Sequence, residues 1–271
     1  MGKVKIKKKS TLIDMTAMSD VTVLLLTFFM LTSTFLEKEP TTVLTPSSVS
    51  VEAVPAKDLV TVLVSSEDKT GKLDDPTVIE GRIFLSFKGD SVIPSDKLRE
   101  EVLKRAISIY NDQHSKSKLN NPTQAQVDAF KKLTMFGVSF RNLYKVLDME
   151  PTVREKWFSD LNNPEVGIPI NDNKDGSHNL NDFQVWMQAL KQVAQKGRED
   201  KLASLAQEGK DAEAIREADI LYNNLMQGRS ISVKADKNTP FKVVHRVFDN
   251  LQTMSLNKFT LMTNLKNEAG Q

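Results

Sequence analysis

The chain contains no cysteine. That excludes a disulfide framework, a thiolate metal site and a cysteine nucleophile. It leaves the compartment open, because a cysteine-free chain is safe in either redox environment. Histidine is scarce, and His114, His178 and His245 lie far apart without metal-ligand spacing. There is no P-loop, no nucleophile elbow and no G-x-G-x-x-G stretch. Neighbouring carboxylates occur at Asp74-Asp75 and Glu100-Glu101. The first pair falls in a charged loop and the second on a solvated helix face, so neither makes a catalytic dyad. The sequence therefore reads as a non-enzyme without cofactor or resident metal. Long hydrophobic runs are also missing, with one exception.

What is present suits a globular protein. The 271 residues are 39% hydrophobic and 27% charged, with 11 glycines. That excludes collagen-like and generally disordered chains and allows one or two domains. The net charge of +2 hides an asymmetry. Lys3, Lys5, Lys7, Lys8 and Lys9 crowd the first ten residues, and the remainder carries 32 basic against 35 acidic side chains. A basic tip on a mildly acidic body gives no reason to expect a nucleic-acid partner.

The exception runs from Val21 to Leu36 and reads VTVLLLTFFMLTSTFL, without a charge. With Ser19 and Asp20 it spans 18 residues, roughly 27 Å as a helix and close to the hydrocarbon thickness of a bilayer. A buried core helix would not need five lysines ahead of it. A cleaved signal peptide would need a small-x-small site, and Thr34-Phe35-Leu36-Glu37-Lys38-Glu39-Pro40 supplies none. The expectation is an uncleaved single-span anchor at 19–36. Lysines stay on the cytoplasmic side, so residues 1–18 are inside and everything beyond Glu37 is outside. In a Gram-negative cell that is the periplasm. No second run of spanning length follows.

Asp20 opens the apolar run. An ionised carboxylate at full membrane depth costs about 2.5–3.5 kcal/mol, so an acid there is either functional or placed to reach water at the helix end. Helical geometry bears on the choice. Thr16, Asp20, Thr27 and Thr34 share one side of a helix, with Leu24 and Leu31 filling the gaps. Thr22, Leu25, Phe29 and Leu36 lie opposite. A polar stripe has no use in lipid and is expected to face protein or a water-filled path.

The segment IDMTAMSDVTVLLLTFFM (Ile13–Met30) resembles the signature of the ExbD/TolR biopolymer-transport family. The family pattern is an acidic or amide residue, Thr-Pro, two residues, then Asp-Val opening the membrane helix. Asp14, Thr16 and Asp20-Val21 match it, and Ala17 stands where the family has proline. Proline would fix the helix start; without it the helix is free to extend N-terminally. A second stretch, GRSISVKADKNTPFKVVHRVFDNLQTMSLNKFTLMT (Gly228–Thr263), resembles the family's closing strand–helix–strand with its V-x-A-D strand end. The resemblance implies that Asp20 carries protons. It also implies a homodimer, multi-span ring partners like ExbB/TolQ, and a periplasmic partner like TonB/TolA.

The rest of the chain has its own pattern. Residues 37–58, with prolines and many Ser, Thr and Val, read as an extended linker or an edge-strand segment, able to cross from the membrane to a folded domain or to pair with a neighbouring chain. Leu59–Val64 and Arg82–Phe87 read as a hairpin around a charged loop. Ser95 suits a helix cap, with Leu98, Val102, Ala106 and Ile109 on one face behind it. Ile231, Val233 and Ala235 alternate as a half-buried strand. Thr239-Pro240 suits an N-cap followed by an N1 proline, with Phe241, Val244, Phe248 and Leu251 on one helical face. Phe259, Leu261 and Thr263 alternate again, which predicts a βαβ unit.

Between them, 112–227 reads as three to five helices. Val127, Phe130, Leu133 and Met135 begin one apolar series that continues through Phe140, Leu143 and Val146. Phe183, Trp186, Leu190 and Val193 form another, and Ala203–Met226 has a helical period. Asn171-Asp172-Asn173-Lys174-Asp175-Gly176 looks like the start of a calcium loop ending at Asp182. Asn stands where Asp is usual and Asp where Glu is usual, so a plain turn accounts for it better.

The expected fold class is α+β, with helices on one face of a small sheet. A cytoplasmic tip (1–18), a transmembrane helix (19–36) and a linker (37–58) lead into a periplasmic domain built from 59–111 and 228–271. The helical insertion 112–227 lies between its halves. The expected function is proton-driven energy transduction in the inner membrane. The alternatives are a flagellar-stator or gliding-motor relative, a signal-anchored periplasmic scaffold, and a secreted calcium-binding module.

Overall fold

The computed structural model describes residues 15–32, 39–40, 43–48, 59–65, 82–115, 117–160, 163–170, 179–207, 220–237, 239–262 and 264–265. The chain divides into two compact units, residues 1–38 and 39–271, and each is described by itself.

The first unit contains helix α1, Met15–Thr32. It holds no glycine or proline, and the hydroxyls of Thr22, Thr27 and Thr32 turn back onto carbonyls three or four residues earlier.

The second unit is built on a four-stranded sheet of β2 (Val60–Ser65), β3 (Arg82–Phe87), β4 (Ile231–Ala235) and β5 (Thr260–Met262), in the order β3-β2-β4-β5. β2 and β3 form the expected antiparallel hairpin, while β2–β4 and β4–β5 are parallel. A separate two-residue pairing joins β1 (Ser47–Ser48) to β6 (Asn264–Leu265). Register brings Val60, Val62 and Val64 level with Phe87, Leu85 and Ile83 on one side and Ile231, Val233 and Ala235 on the other. All nine are buried. This is the main apolar face.

The opposite face departs from a sheet covered on one side. Leu63, Phe84 and Ser232 there are fully buried as well. β2 and β4 are the inner strands of a largely parallel sheet, which is stable only when both faces are covered.

Helix α2, Ser95–Gln113, buries Leu98, Val102, Ala106 and Ile109 as the period predicted, with Leu103, Ile107 and Tyr110 beside them. Its cap differs from expectation. Pro94 holds the N-cap position, and Ser95 Oγ instead accepts the Gly89 N–H at 3.0 Å. Asp90 Oδ1 accepts the N–H groups of Val92 and Ile93 at 2.7 and 2.6 Å, closing the turn before the helix.

The middle of the chain forms α3 (Gln124–Lys131), α4 (Leu143–Leu147), α5 (Pro151–Ser159), α6 (Asp182–Gln207) and α7 (Leu221–Gln227). Thr123 closes a capping box with Gln126 at the start of α3. The apolar series from Val127 to Val146 is not one helical run. Residues 135–138 leave the helix and lie extended beside β3, where Leu85 and Phe136 bridge in antiparallel fashion. Phe136 and Val138 still reach the core from there, because alternation buries them as well as a helix would. Arg154 ties α5 down by donating to the carbonyls of Val146, Leu147 and Met149 at 2.7–3.0 Å. Burial lowers its pKa from the ordinary guanidinium value.

α6 packs along α2. It contributes Trp186 to an aromatic stack with Phe140 at 4.9 Å and Phe130 at 5.6 Å between centroids. Asn181, just ahead of α6, donates to Asn250 Oδ1 at 2.6 Å, and both amides donate to Ile170 O. Asn250 belongs to α8, Phe241–Thr253, so the middle of the chain and the closing helix share one polar joint inside one hydrophobic core.

α8 begins after Pro240, which occupies the N-cap in place of Thr239. Its buried face is Val243, Val244, Val247, Asn250 and Leu251. The expected face is thus rotated by about one residue. Phe248 is half-buried, stacked on Phe259 at 4.5 Å, and Phe241 is 73% exposed.

Candidate functional site

On α1, Asp20 is exposed, and no described residue bonds to its carboxylate. Thr27 lies two turns further on. Its hydroxyl donates to Val23 O and Leu24 O at 3.0 and 2.9 Å, so towards a neighbour it offers only lone pairs. Thr16 lies in the helix, but its side chain is outside the described residues, as are Thr34 and the lysine tip. The structure thus bears on Asp20 and Thr27 of the expected stripe. Around them, every large apolar side chain from Met18 to Leu31 is between 49% and 87% exposed. Among the described residues, no helix is long and apolar enough to cross a membrane. The expected span 19–36 runs past the end of α1 into residues that are not described.

In the second unit the chain enters along the C-terminal end of β4. Glu39 pairs with Lys234 at 2.6 Å, and Val43 is buried. The Leu44 N–H donates to Asp236 Oδ2 at 3.0 Å, and the Lys237 N–H donates to Leu44 O at 2.8 Å. Asp236 is the acidic residue that ends the V-x-A-D strand. The partners of Glu39 and Asp236 were not legible beforehand, because they lie nearly two hundred residues away.

Leu44 (54%), Phe241 (73%) and Leu261 (43%) are exposed apolar side chains, and Lys237, Lys242 and His245 are exposed as well. His245 is engaged by Asp249 at 2.9 Å. Phe241 was expected in the core, and its exposure is the clearest sign that sequence periodicity misplaced a surface residue.

Asn171, Asn173, Asp175 and Gly176 of the candidate calcium loop lie outside the described residues. Asp182 does not. Its Oδ2 accepts the Phe140 N–H at 2.9 Å, which commits it to the turn ahead of α4. Burial raises its pKa above the ordinary carboxylate value, and the Phe140 amide, His114 and Arg141 oppose that rise. Among the described residues, no group of three or more His, Cys, Asp or Glu side chains is arranged to hold a metal.

A groove of about 660 Å³ lies between α2 and α6. Its polar side chains are largely engaged within the chain: Lys104 with Glu100, Arg105 with Gln192, and Gln195 with Glu199. Nothing there resembles a catalytic constellation.

Comparison with known families finds a match. The family described as "Biopolymer transport protein ExbD/TolR" matches residues 7–148, just over half of the chain. The match takes in α1, the β2–β3 hairpin, α2, α3 and α4. It runs through 112–148, which the sequence pattern assigns to the insertion, and stops short of the closing strand–helix–strand. No curated protein and no solved structure matches the chain.

Proposed function

The chain belongs to the ExbD/TolR family, and on that premise we propose that it is one component of an inner-membrane complex that converts the proton-motive force into mechanical work. α1 and the apolar residues after it form a single membrane span, with the N-terminus cytoplasmic and residues 39–271 in the periplasm. The observation that carries this reading is the exposure of α1. Its apolar side chains are exposed, and burying each such side chain is worth about 1.5–3 kcal/mol. Lipid and protein neighbours supply that burial. The Asp20–Thr27 side faces ExbB/TolQ-like ring subunits, and Asp20 takes up and releases protons there. The electrical driving force is about 2.3 kcal/mol per charge per 100 mV, enough to bias rotation or rocking of the helix against its ring.

Motion would pass through Glu39–Leu44 to the sheet, since that segment is fastened to β4 by an ion pair and two hydrogen bonds. A TonB/TolA-like partner would receive it and drive outer-membrane transport. A homodimer would cover exposed apolar side chains such as Leu44, Phe241 and Leu261.

The test is Asp20→Asn in the native host, reading inner-membrane abundance together with energy-dependent uptake or envelope integrity. Normal abundance with collapsed uptake is expected. Uptake equal to wild type would leave a signal-anchored scaffold as the better account.

A further inference from the structure

The four-stranded sheet has two edges, β3 and β5. An open edge presents unpaired N–H and C=O groups to any passing strand. At β3 part of this row is already taken. Leu85 donates to Phe136 O at 2.7 Å and accepts the Phe136 N–H at 2.9 Å, while Ile168 donates to Ile83 O at 2.9 Å. The two covering segments are themselves joined, Gly167 N–H to Gly137 O at 2.9 Å, with Val138 bridging Val166. The buried Arg82 on β3 donates from its guanidinium to Val166 O.

This contact is tightly fitted. A Cβ on Gly137 would lie 2.3 Å from a ring carbon of Phe84 and 2.8 Å from Ile83 O. Gly167 has φ +104° and passes Arg82 closely, so a side chain there would be strained. Both covering segments belong to the region between the hairpin and the closing strand–helix–strand. At the other end, no described residue pairs with the outer side of β5, where Leu261 is 43% exposed.

We propose that residues 135–138 and 166–168 are a built-in cap on the β3 edge, which confines strand pairing between chains to β5. One open edge allows an isologous pair and nothing larger. Two open edges allow head-to-tail growth, because each added chain presents a fresh edge. The occupant of β5 is a second copy of this chain, a choice that rests on the dimeric reading above; the cap itself does not depend on it.

The experiment uses the full chain in detergent and two variants. Gly137→Val forces the covering segment off Phe84. Ile168→Pro removes one capping N–H without adding bulk against that ring, and carries the test if the first variant does not fold. Amide exchange at Leu85 reports the cap, and native mass spectrometry reports the number of chains. Exchange at Leu85 should rise about tenfold, the equivalent of one lost hydrogen bond, and assemblies larger than the wild-type form should appear. If Leu85 opens and assembly size stays at the wild-type value, the open edge recruits nothing and the proposal is wrong. Unchanged exchange in both variants overturns it too, because the edge would be protected by something else. A monomeric wild type would defeat the dimeric reading alone; larger assemblies in the variants than in wild type would still establish the cap.

Discussion

Asp236 and Leu44 are joined across 192 positions of sequence, carboxylate Oδ2 to backbone N–H at 3.0 Å. The bond fastens the segment that enters the second unit to the end of its central strand β4. A hydrogen bond to a charged group contributes about 1.5–3 kcal/mol when sheltered, and the exposure of Leu44 puts this one at the low end. Asp236→Ala should therefore speed amide exchange at Leu44 and Lys237 about tenfold, while the global melting temperature moves little. Asp236→Asn keeps an acceptor and should restore much of the protection. Equal exchange in all three proteins would show that the segment is held by Glu39–Lys234 and by packing instead.

Gly228 ends α7 in the left-handed region, at φ +79°, and a Cβ there would fall 2.1 Å from the Lys258 Cβ. Gly228→Ala combines left-handed strain of about 1–2 kcal/mol with overpacking of about 1–3 kcal/mol. Chemical denaturation should show a loss of about 3 kcal/mol. A loss below about 0.5 kcal/mol, the size of an ordinary surface change, would contradict the close approach to Lys258.

Asp182 gives stability a pH dependence of unusual sign for an acid. Its folded pKa lies above the ordinary value because burial disfavours the charge. The folded chain therefore binds more protons than the unfolded chain between those two values, and stability falls as pH rises through that window. Asp182→Asn removes the charge and keeps an oxygen to accept the Phe140 N–H. The variant should match or exceed wild type in melting temperature at neutral pH, with the gain vanishing in acid. A variant that loses stability equally at every pH would mean that the hydrogen bond, not the charge, dominates at this position.

Ser232 lies on β4 with no exposed surface, and its hydroxyl has no hydrogen-bond partner among the described residues. A buried, unmatched polar group costs about 1–3 kcal/mol. Ser232→Ala should therefore be neutral or stabilising by about 1 kcal/mol. Val233→Ala, next in the same strand and equally buried, should lose about 2 kcal/mol. Urea titration of the two variants side by side tests the contrast. Destabilisation of both would show that the Ser232 hydroxyl has a partner such as a bound water.

Part of this was readable without coordinates. Alternation at Ile231, Val233 and Ala235 and the apolar period of α2 reported their burial correctly, because each pattern is set by near neighbours along the chain. The same reasoning failed at Phe241. Residues 241, 244, 248 and 251 make a helical stripe on paper, but α8 packs against α6 and buries Val243 and Val247 beside Val244 and Leu251, leaving Phe241 outside. It also failed at residues 135–138, where an apolar run compatible with a helix was drawn extended along β3 by the two hydrogen bonds between Leu85 and Phe136. The candidate site was legible as an isolated Asp at the head of an apolar run. The anchoring residues Glu39 and Asp236 were not.

The sequence by itself determined the type of each strong element, the asymmetry of charge and the apolar run that opens at Asp20, since these depend on local spacing and side-chain chemistry. Tertiary structure decided which edge of the sheet is covered, which face of α8 is buried, and where Asp182, Asp236 and Arg154 find their partners. Those choices rest on hydrogen bonds and contacts between segments far apart in the chain, and a buried polar group must be satisfied wherever folding places it.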